Sequence, residues 1–367
     1  MKILYTTTVG LSMIFFKEFI KELIDNGNTV DIATNENEHK VDDYYRELGC
    51  KVYQINWTRS PISKSSVTAA KELKQLLLKN DYDVVHCHTP IAGVCTRLAC
   101  KGFRKKGLRV FYTAHGFHFY KGCPKMNRLV FYPIELICSH FTDILITINS
   151  EDYALAEKKM KAKHIKYVPG VGVDLNRFKN TTTDRIAKRE ELKIPKDAFL
   201  ILSVGEHNEN KNHELVIRAM AKLNNPDICY MIAGQGELTN HLISLAKEFK
   251  LEDRLFILGF RKDIAELHKA SDLYVLPSKR EGLNVSLIEA CASELPCLAS
   301  RIRGNVDIVN HNENELFDYN SVDELCEKIN DFINCSPSDA KKKYRNDVSK
   351  FSPDIVNAEM MKIYYEK

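Results

Sequence analysis

No run of about 18 uninterrupted apolar residues occurs in this chain of 367 residues, so no membrane-spanning helix is expected. The closest run, Leu129 to Ile148, is broken by Glu135, His140 and Asp143 and reads as a helix followed by a buried strand. The opening MKILYTTTVG starts directly as a strand pattern and lacks the charged, apolar and cleavage regions of a secretory signal. No C-x-x-C occurs. The eleven cysteines are scattered through strand and helix patterns, which suits free thiols in a reducing cytosol better than a disulfide framework. A dinucleotide fingerprint is also missing. Neither Gly170-Val171-Gly172 nor Gly234-Gln235-Gly236 has a third glycine three residues on, which argues against an NAD enzyme. There is no repeat of solenoid period and no low-complexity tract.

Acidic residues are absent between Asp83 and Glu135, where nine basic ones stand: Arg97, Lys101, Arg104, Lys105, Lys106, Arg109, Lys121, Lys125 and Arg128. The net charge of +4 is accordingly uneven, +9 over residues 1–180 and −5 over the remainder. Such a segment reads either as a solvated helix face or as a surface for anionic lipid or a lipid diphosphate, each clustered cation contributing about 1 kcal/mol near a bilayer. No nucleic-acid-binding motif accompanies the charge, so nucleic acid is not expected as a partner.

What is present is alternation. Strand patterns at Lys2–Thr8, Thr29–Thr34, Cys50–Ile55, Asp83–His88, Arg109–His115 and Asp143–Ile148 alternate with helix patterns, which points to a parallel sheet with crossover helices. The helix patterns fall over Ser12–Asp25, Ser65–Lys79, Ala92–Cys100 and Leu129–Cys138, and a further helix starts at Ser150, placed as its N-cap. PGVGVDLNRF and the polar segment Asn180–Arg189 then break the pattern, and a domain boundary is expected there. The expected domains are 1–175 and 190–350, with a last amphipathic helix over about 352–367. The second series reads strand Ala198–Val204, helix Asn212–Leu223, strand Ile228–Ala233, helix Glu237–Phe249, strand Arg254–Leu258, a short helix near Asp263, and strand Asp272–Pro277.

The last strand opens the most informative stretch, Pro277 to Ser300, PSKREGLNVSLIEACASELPCLAS. Glu281 falls in a polar loop, and Glu289 is expected two turns into the following helix, where Val285, Leu287, Ile288 and Cys291 recur at helical spacing. A loop at the carboxyl end of a strand and the N-terminus of a helix is where open α/β sheets bind ligands and where phosphates find free amides. Eight residues of continuous helix would span about 12 Å, more than the roughly 5–9.5 Å of a glycosidase carboxylate pair. The two acids therefore read as gripping different parts of one extended ligand.

Other candidates lie at strand ends. Lys211, in SVGEHNENKNHELVIRAM, stands at the start of a helix pattern after Gly205 and can neutralise a diphosphate. His115 ends a strand in TAHGFHFYKG, where an imidazole can hydrogen-bond a sugar hydroxyl or a reacting centre. His86 and His88 share a strand face, as metal ligands might, but no third or fourth ligand is apparent nearby. No metal is expected, and the pair reads instead as strand-end histidines lining an interdomain cleft. Asp81-x-Asp83 precedes its strand and so lies at the end opposite the ligand side.

The stretch P-S-K-R-E-G-L-N-V-S-L-I-E-A resembles the donor-site signature of family-4 glycosyltransferases, retaining enzymes of the GT-B fold, and the resemblance extends in ordered motifs over nearly the whole chain. Glu294 departs from it, because the family has glycine in an S-G-x-P turn there, and this puts the local turn geometry in question. The resemblance implies two Rossmann-like domains facing a cleft, with the last helix crossing back to the first. It further implies a nucleotide-sugar donor, UDP-linked in our reading, and no other cofactor. It places Glu281 beside the donor sugar, with Gly282, Leu283 and Asn284 in the same loop, and Glu289 on the ribose. Lys211 falls on the diphosphate with Gly205 and Glu206, Gly259 and Arg261 at the base, Gly234 in a turn near the cleft, and the Gly10 loop near sugar and phosphate. The segment T-A-H-G-F-H resembles enzymes extending undecaprenyl-diphosphate-linked sugars for capsule, exopolysaccharide or O-antigen; it puts His115 at the sugar and His118, Lys121 and Lys125 toward the acceptor. A cytosolic protein on the inner face of the membrane follows as an expectation. The alternatives are a UDP-sugar 2-epimerase on the same architecture and a non-catalytic scaffold subunit.

Overall fold

The computed structural model describes residues 1–57, 64–336, 339 and 343–366, with only the backbone of residues 64–67. The chain divides into two compact units, one of Met1–Gly172 with Pro353–Lys367, the other of Val173–Ser352.

Unit 1 is built on strands β1 (Lys2–Thr6), β2 (Thr29–Thr34), β3 (Val52–Gln54), β4 (Val84–His88), β5 (Arg109–Ala114), β6 (Ile144–Thr147) and β7 (His164–Tyr167). They pair in the order β3-β2-β1-β4-β5-β6-β7, every pair parallel. Strand order reverses between β1 and β4, so the loops after those two strands leave in opposite directions. The apolar strand residues demand cover on both faces. On one face the C-terminal helix Pro353–Tyr365 supplies Val356, Met360, Ile363 and Tyr364 to a core shared with Ile3, Tyr5, Phe19, Ile20 and Phe111. The helix thus packs back on the first unit, and Lys367, the end of its expected range, lies outside the described residues.

Unit 2 carries β8 (Phe199–Val204), β9 (Ile228–Ala233), β10 (Leu255–Ile257), β11 (Leu273–Leu276), β12 (Cys297–Ser300) and β13 (Leu316–Phe317), in the order β10-β9-β8-β11-β12-β13. These pairs are also all parallel, with the reversal between β8 and β11.

Several local expectations are corrected. The helix expected from Ser12 begins as a 3-10 segment, Gly10–Phe16, and becomes α-helical only over Lys17–Asp25. The cap of helix Ser150–Lys159 is Asn149, not Ser150: its Oδ1 accepts from the Asp152 amide at 2.8 Å and its Nδ2 donates to the Asp152 carboxylate at 2.9 Å. Strand β7 was not foreseen, because an edge strand paired only with β6 needs little apolar alternation. The polar segment Asn180–Arg189 runs into a helix, Arg185–Glu191, capped by Asp184. Arg185 and Arg189 of that helix both bind the Asp272 carboxylate, at 2.5 and 2.7 Å, which ties the segment into unit 2.

The basic stretch of unit 1 is only partly a surface. Arg97 is fully buried, pairs with Glu135 at 2.8 Å and lies over the Tyr112 ring. Arg104 holds Asp143 at 2.6 Å, and Arg109 donates to the Tyr364 carbonyl at 2.7 Å. Lys101, Lys105, Lys106, Lys121, Lys125 and Arg128 are exposed. All eleven cysteines are free thiols. No helix among the described residues is long and apolar enough to cross a membrane.

Glu294 settles the question of the turn after helix Val285–Ala292. Its φ is +56°, so a residue with a Cβ occupies the left-handed position that glycine takes without strain. The Leu295 amide donates to the Ala290 carbonyl and the Glu294 amide to that of Cys291, the two bonds of a Schellman ending. Glu294→Gly should therefore raise unfolding stability by about 0.5–1 kcal/mol, the relief of left-handed strain exceeding the entropy cost of glycine. Chemical denaturation checks it; a loss of stability would mean the turn is not strained at Glu294.

Candidate functional site

In unit 2 the loops that follow β8 and β11 meet at the strand reversal. Lys211 is not in the helix, which starts at Glu214; it stands in the loop, its amide donating to Asn208 Oδ1 at 3.0 Å. Its ammonium reaches Glu281 Oε1 at 2.8 Å, and both side chains are mostly buried. Residues 70 positions apart are thereby brought together. Two contacts that the sequence did not reveal hold the loops in register: the Lys279 amide donates to the Asn210 carbonyl at 2.8 Å, and Asn210 Nδ2 to the Arg280 carbonyl at 2.9 Å. Arg303, nearly buried, donates from Nε to the Glu281 carbonyl at 3.1 Å. An anion arriving here can compete with Glu281 for Lys211, and a displaced Glu281 carboxylate is then free to accept from a hydroxyl.

The stretch from Glu281 to Glu289 is not continuous helix. The helix begins at Val285, so Glu289 lies little more than one turn in, and the span inferred from eight helical residues does not apply. Asn284 caps the helix, its Oδ1 accepting from the Leu287 amide at 2.9 Å, which leaves its amide nitrogen for another partner. Gly282 and Leu283 lie between cap and acid, half-buried. Glu289 is half-buried as well. Burial pushes its carboxyl up to about 7, with Arg177 on the neighbouring helix Leu175–Lys179 pulling the other way. Its carboxylate enters no side-chain hydrogen bond or ion pair among the described residues, which suits an acid that receives donors from a ligand.

The loop glycines make close backbone approach possible. A Cβ on Gly234 would lie 1.9 Å from the Gly205 carbonyl oxygen. The Gly234 amide donates to the Gly259 carbonyl at 2.8 Å, so the ends of β8, β9 and β10 share one corner. Arg261 is engaged by Asp263 at 2.7 Å through Nε, and the pair holds the Asp263 carboxyl well below its usual range. Glu206 is exposed and accepts from Asn208 Nδ2 at 2.9 Å. A cavity of about 380 Å³ opens on another side of the same loop, lined by His207, Asn208, Asn212, His213, His241 and Lys279 among others. None of the residues singled out from sequence lines it.

In unit 1 the reversal between β1 and β4 collects a second group. Gly10 opens the 3-10 segment, its amide bonded to the Asn35 carbonyl at 3.0 Å, and a Cβ there would strike the His39 carbonyl at 2.3 Å. His115 follows β5, and its Nε2 meets Nδ1 of His88 at 3.1 Å. Burial pulls His115 down to about 4, so the ring is neutral at pH 7. His86, grouped with His88 by sequence, has both ring nitrogens engaged, by Tyr364 at 2.7 Å and Thr113 at 2.8 Å. His118 packs on Phe131, and the Lys121 amide donates to Glu151 at 3.1 Å. Lys125 is the first residue of helix Lys125–Ser139 and is exposed. No group of three or more His, Cys, Asp or Glu among the described residues is arranged to hold a metal ion.

Residues 184–351 match the family model described as "Glycosyl transferases group 1", and residues 2–149 match "Glycosyl transferase 4-like". The protein EpsD of Bacillus subtilis (strain 168) is 36% identical over 266 residues, 71% of this chain and 70% of that one. The UDP-Gal:alpha-D-GlcNAc-diphosphoundecaprenol alpha-1,3-galactosyltransferase of Escherichia coli is 34% identical over 262 residues, 69% of this chain and 67% of its own. Among solved structures, Anabaena Alr3699/HepE in complex with UDP and glucose superposes with a TM-score of 0.80 at 18% identity, covering both chains fully. At that identity the likeness concerns the fold.

Proposed function

The chain belongs to the GT-B glycosyltransferases, and on that premise we propose that it moves a sugar, with retention and without a metal, from a UDP donor to a polyprenyl-diphosphate-linked saccharide in surface polysaccharide synthesis. The observation that carries this reading is the Lys211–Glu281 pair at the reversal of the second sheet. A cation and an acid held together at a ligand-binding crevice match a donor that presents a diphosphate beside a sugar. The donor and acceptor classes follow the named reaction of the E. coli relative, and UDP accompanies the Anabaena structure.

In this reading Lys211 leaves Glu281 for the diphosphate, supported by the Gly205 loop and Glu206. Glu281 turns to the sugar, with Gly282, Leu283 and Asn284 lining the phosphate side. Glu289 accepts from the ribose hydroxyls, Gly259 and Arg261 take the base, and Gly234 keeps the corner open. His115 and the Gly10 loop serve the reacting sugar, and His118, Lys121 and Lys125 the acceptor. The bond from the anomeric carbon to the diphosphate oxygen breaks, and the acceptor oxygen bonds to that carbon on the face the diphosphate leaves. The acceptor proton passes to the departing diphosphate. Lys211 stabilises the charge that grows on the leaving group, an electrostatic contribution in a partly water-excluded site. Glu281→Ala should lower turnover with a polyprenyl-diphosphate-linked saccharide about 100-fold or more while UDP still binds. Radiolabel transfer measures this; full turnover in that variant would reject the reading.

We also place the protein at the inner face of the cell membrane. On helix Lys125–Ser139, exposed Lys125 and Arg128 alternate with Met126 and Leu129, which are 65% and 69% exposed. Cations beside protruding apolar side chains suit an anionic bilayer. The protein should sediment with vesicles containing phosphatidylglycerol at low salt, and Lys125→Glu/Arg128→Glu should remain in the supernatant. Equal recovery of both proteins in the supernatant would remove this localisation.

A further inference from the structure

The sequence put His115 at the sugar and His88 on a neighbouring strand face, but gave no link between the two; the structure supplies one. β4 and β5 pair in register with His88 opposite Thr113, and His115 follows two residues later. The rings meet at 3.1 Å, Nδ1 of His88 to Nε2 of His115. Desolvation keeps both neutral, taking His115 to about 4 and His88 well below its ordinary value, with His86 and His115 adding repulsion at His88. Between two neutral imidazoles, one nitrogen must donate and the other accept.

The surroundings of His88 decide which. Its ring is enclosed by Tyr5, stacked at 5.3 Å between centroids, by Phe16 at 4.3 Å and by His86 at 4.1 Å. Its Nε2 is buried and meets no hydrogen-bond partner among the described residues. If His115 were the donor, the single proton of His88 would sit on that Nε2 and be sealed without an acceptor. A buried orphan N–H is rarer than an unfilled acceptor. The proton of His88 therefore belongs on Nδ1, pointing at His115. The strand end is held to this arrangement. Thr89, β-branched, sits at φ +64°, and its Oγ1 bonds to Thr8 Oγ1 at 2.6 Å and donates to the His88 carbonyl at 2.5 Å. Such strain persists where neighbours over-determine it, and it gathers at functional sites. His86, one pleat earlier, is fixed on both nitrogens by Tyr364 of the C-terminal helix and by Thr113.

We propose that His88 is a positioning residue for His115: by donating from Nδ1 it holds His115 in the Nδ1–H tautomer, so that His115 offers the substrate a hydrogen-bond donor and no basic lone pair. The inference rests on the assignment of His115 to the reacting sugar for its catalytic meaning, and on the geometry alone for the tautomer. In this arrangement His115 donates to a sugar oxygen and does not act as a general base.

Two amides separate the alternatives. The Asn side chain places an N–H where Nδ1 of the imidazole stands, whereas that of Gln reaches the Nε2 position. Imidazole ¹⁵N spectra of the full chain at pH 7, with His115 assigned through His115→Gln, should show His115 as Nδ1–H in wild type and in His88→Asn, and mixed or reversed in His88→Gln. With the lipid-linked acceptor, kcat of His88→Gln should fall about tenfold or more, the size expected for one lost hydrogen bond to the reacting sugar. That of His88→Asn should stay within about threefold of wild type, and KM for the UDP-sugar should change little in either. Thermal denaturation identifies any variant that fails to fold, in which case the wild-type spectrum decides. His115 found as Nε2–H in wild type, or equal kinetics in folded Asn and Gln variants, would overturn the proposal. Full activity in His115→Gln would instead remove His115 from the sugar while leaving the tautomer result to judge His88.

Discussion

Both units depend on one constraint of parallel sheets. Each strand must be reached by a crossover, and at one place in each sheet the crossovers begin to run the other way. The connections beyond that place leave in opposite directions, so a crevice opens at the carboxyl ends of the two strands. In unit 2 these are the loops after β8 and β11, and they supply Lys211 and Glu281. In unit 1 they are the loops after β1 and β4, where Thr8, Gly10 and Thr89 lie, next to His88 at the end of β4. The candidate residues are thus a consequence of topology before they are a matter of side-chain chemistry.

The two places differ in electrostatics. Unit 2 keeps its charges in readiness: Lys211 is neutralised by Glu281, Arg261 by Asp263, and Glu289 is raised toward neutrality by burial. Each balance can be replaced by a ligand of matching charge without leaving a bare ion in the unliganded state, which is what a partly buried site requires. Unit 1 keeps three neutral imidazoles in an aromatic stack and spends several cations internally, Arg97 on Glu135 and Arg104 on Asp143. Exposed Lys101, Lys105, Lys106, Lys121 and Lys125 lie outside that stack, where salt and anionic surfaces reach them.

Alternation of apolar strands with amphipathic helices was legible because buried parallel strands must be apolar along their length. The glycine and acid positions at strand ends were legible too, since strand ends mark the ligand side. What stayed hidden depends on partners distant in sequence. Arg97 reads as a surface cation until Glu135, 38 residues on, is seen beside it. Strand β7 has little apolar pattern because it is half-exposed at an edge. Asn149 outbids Ser150 as a cap because its amide also binds Asp152. Glu294 shows the converse: the family's glycine marked a left-handed position, and the chain keeps that conformation with a residue that strains to adopt it. The link between His88 and His115 needs the pairing of β4 with β5, which no local pattern reports.

The central claim is that the β8–β11 reversal binds a UDP-sugar with Glu289 on the ribose. Calorimetric titration of UDP-sugars at pH 6 and pH 8, in wild type and Glu289→Gln, tests it most directly, since the sugar ester carries no phosphate proton that titrates in this range. With the unliganded carboxyl at about 7, hydroxyl donors favour the ionised form, so affinity should rise with pH, by roughly tenfold from pH 6 to pH 8. In Glu289→Gln binding should weaken and the pH dependence flatten. Absence of binding by any nucleotide sugar, or an unchanged pH dependence in Glu289→Gln, would contradict the account.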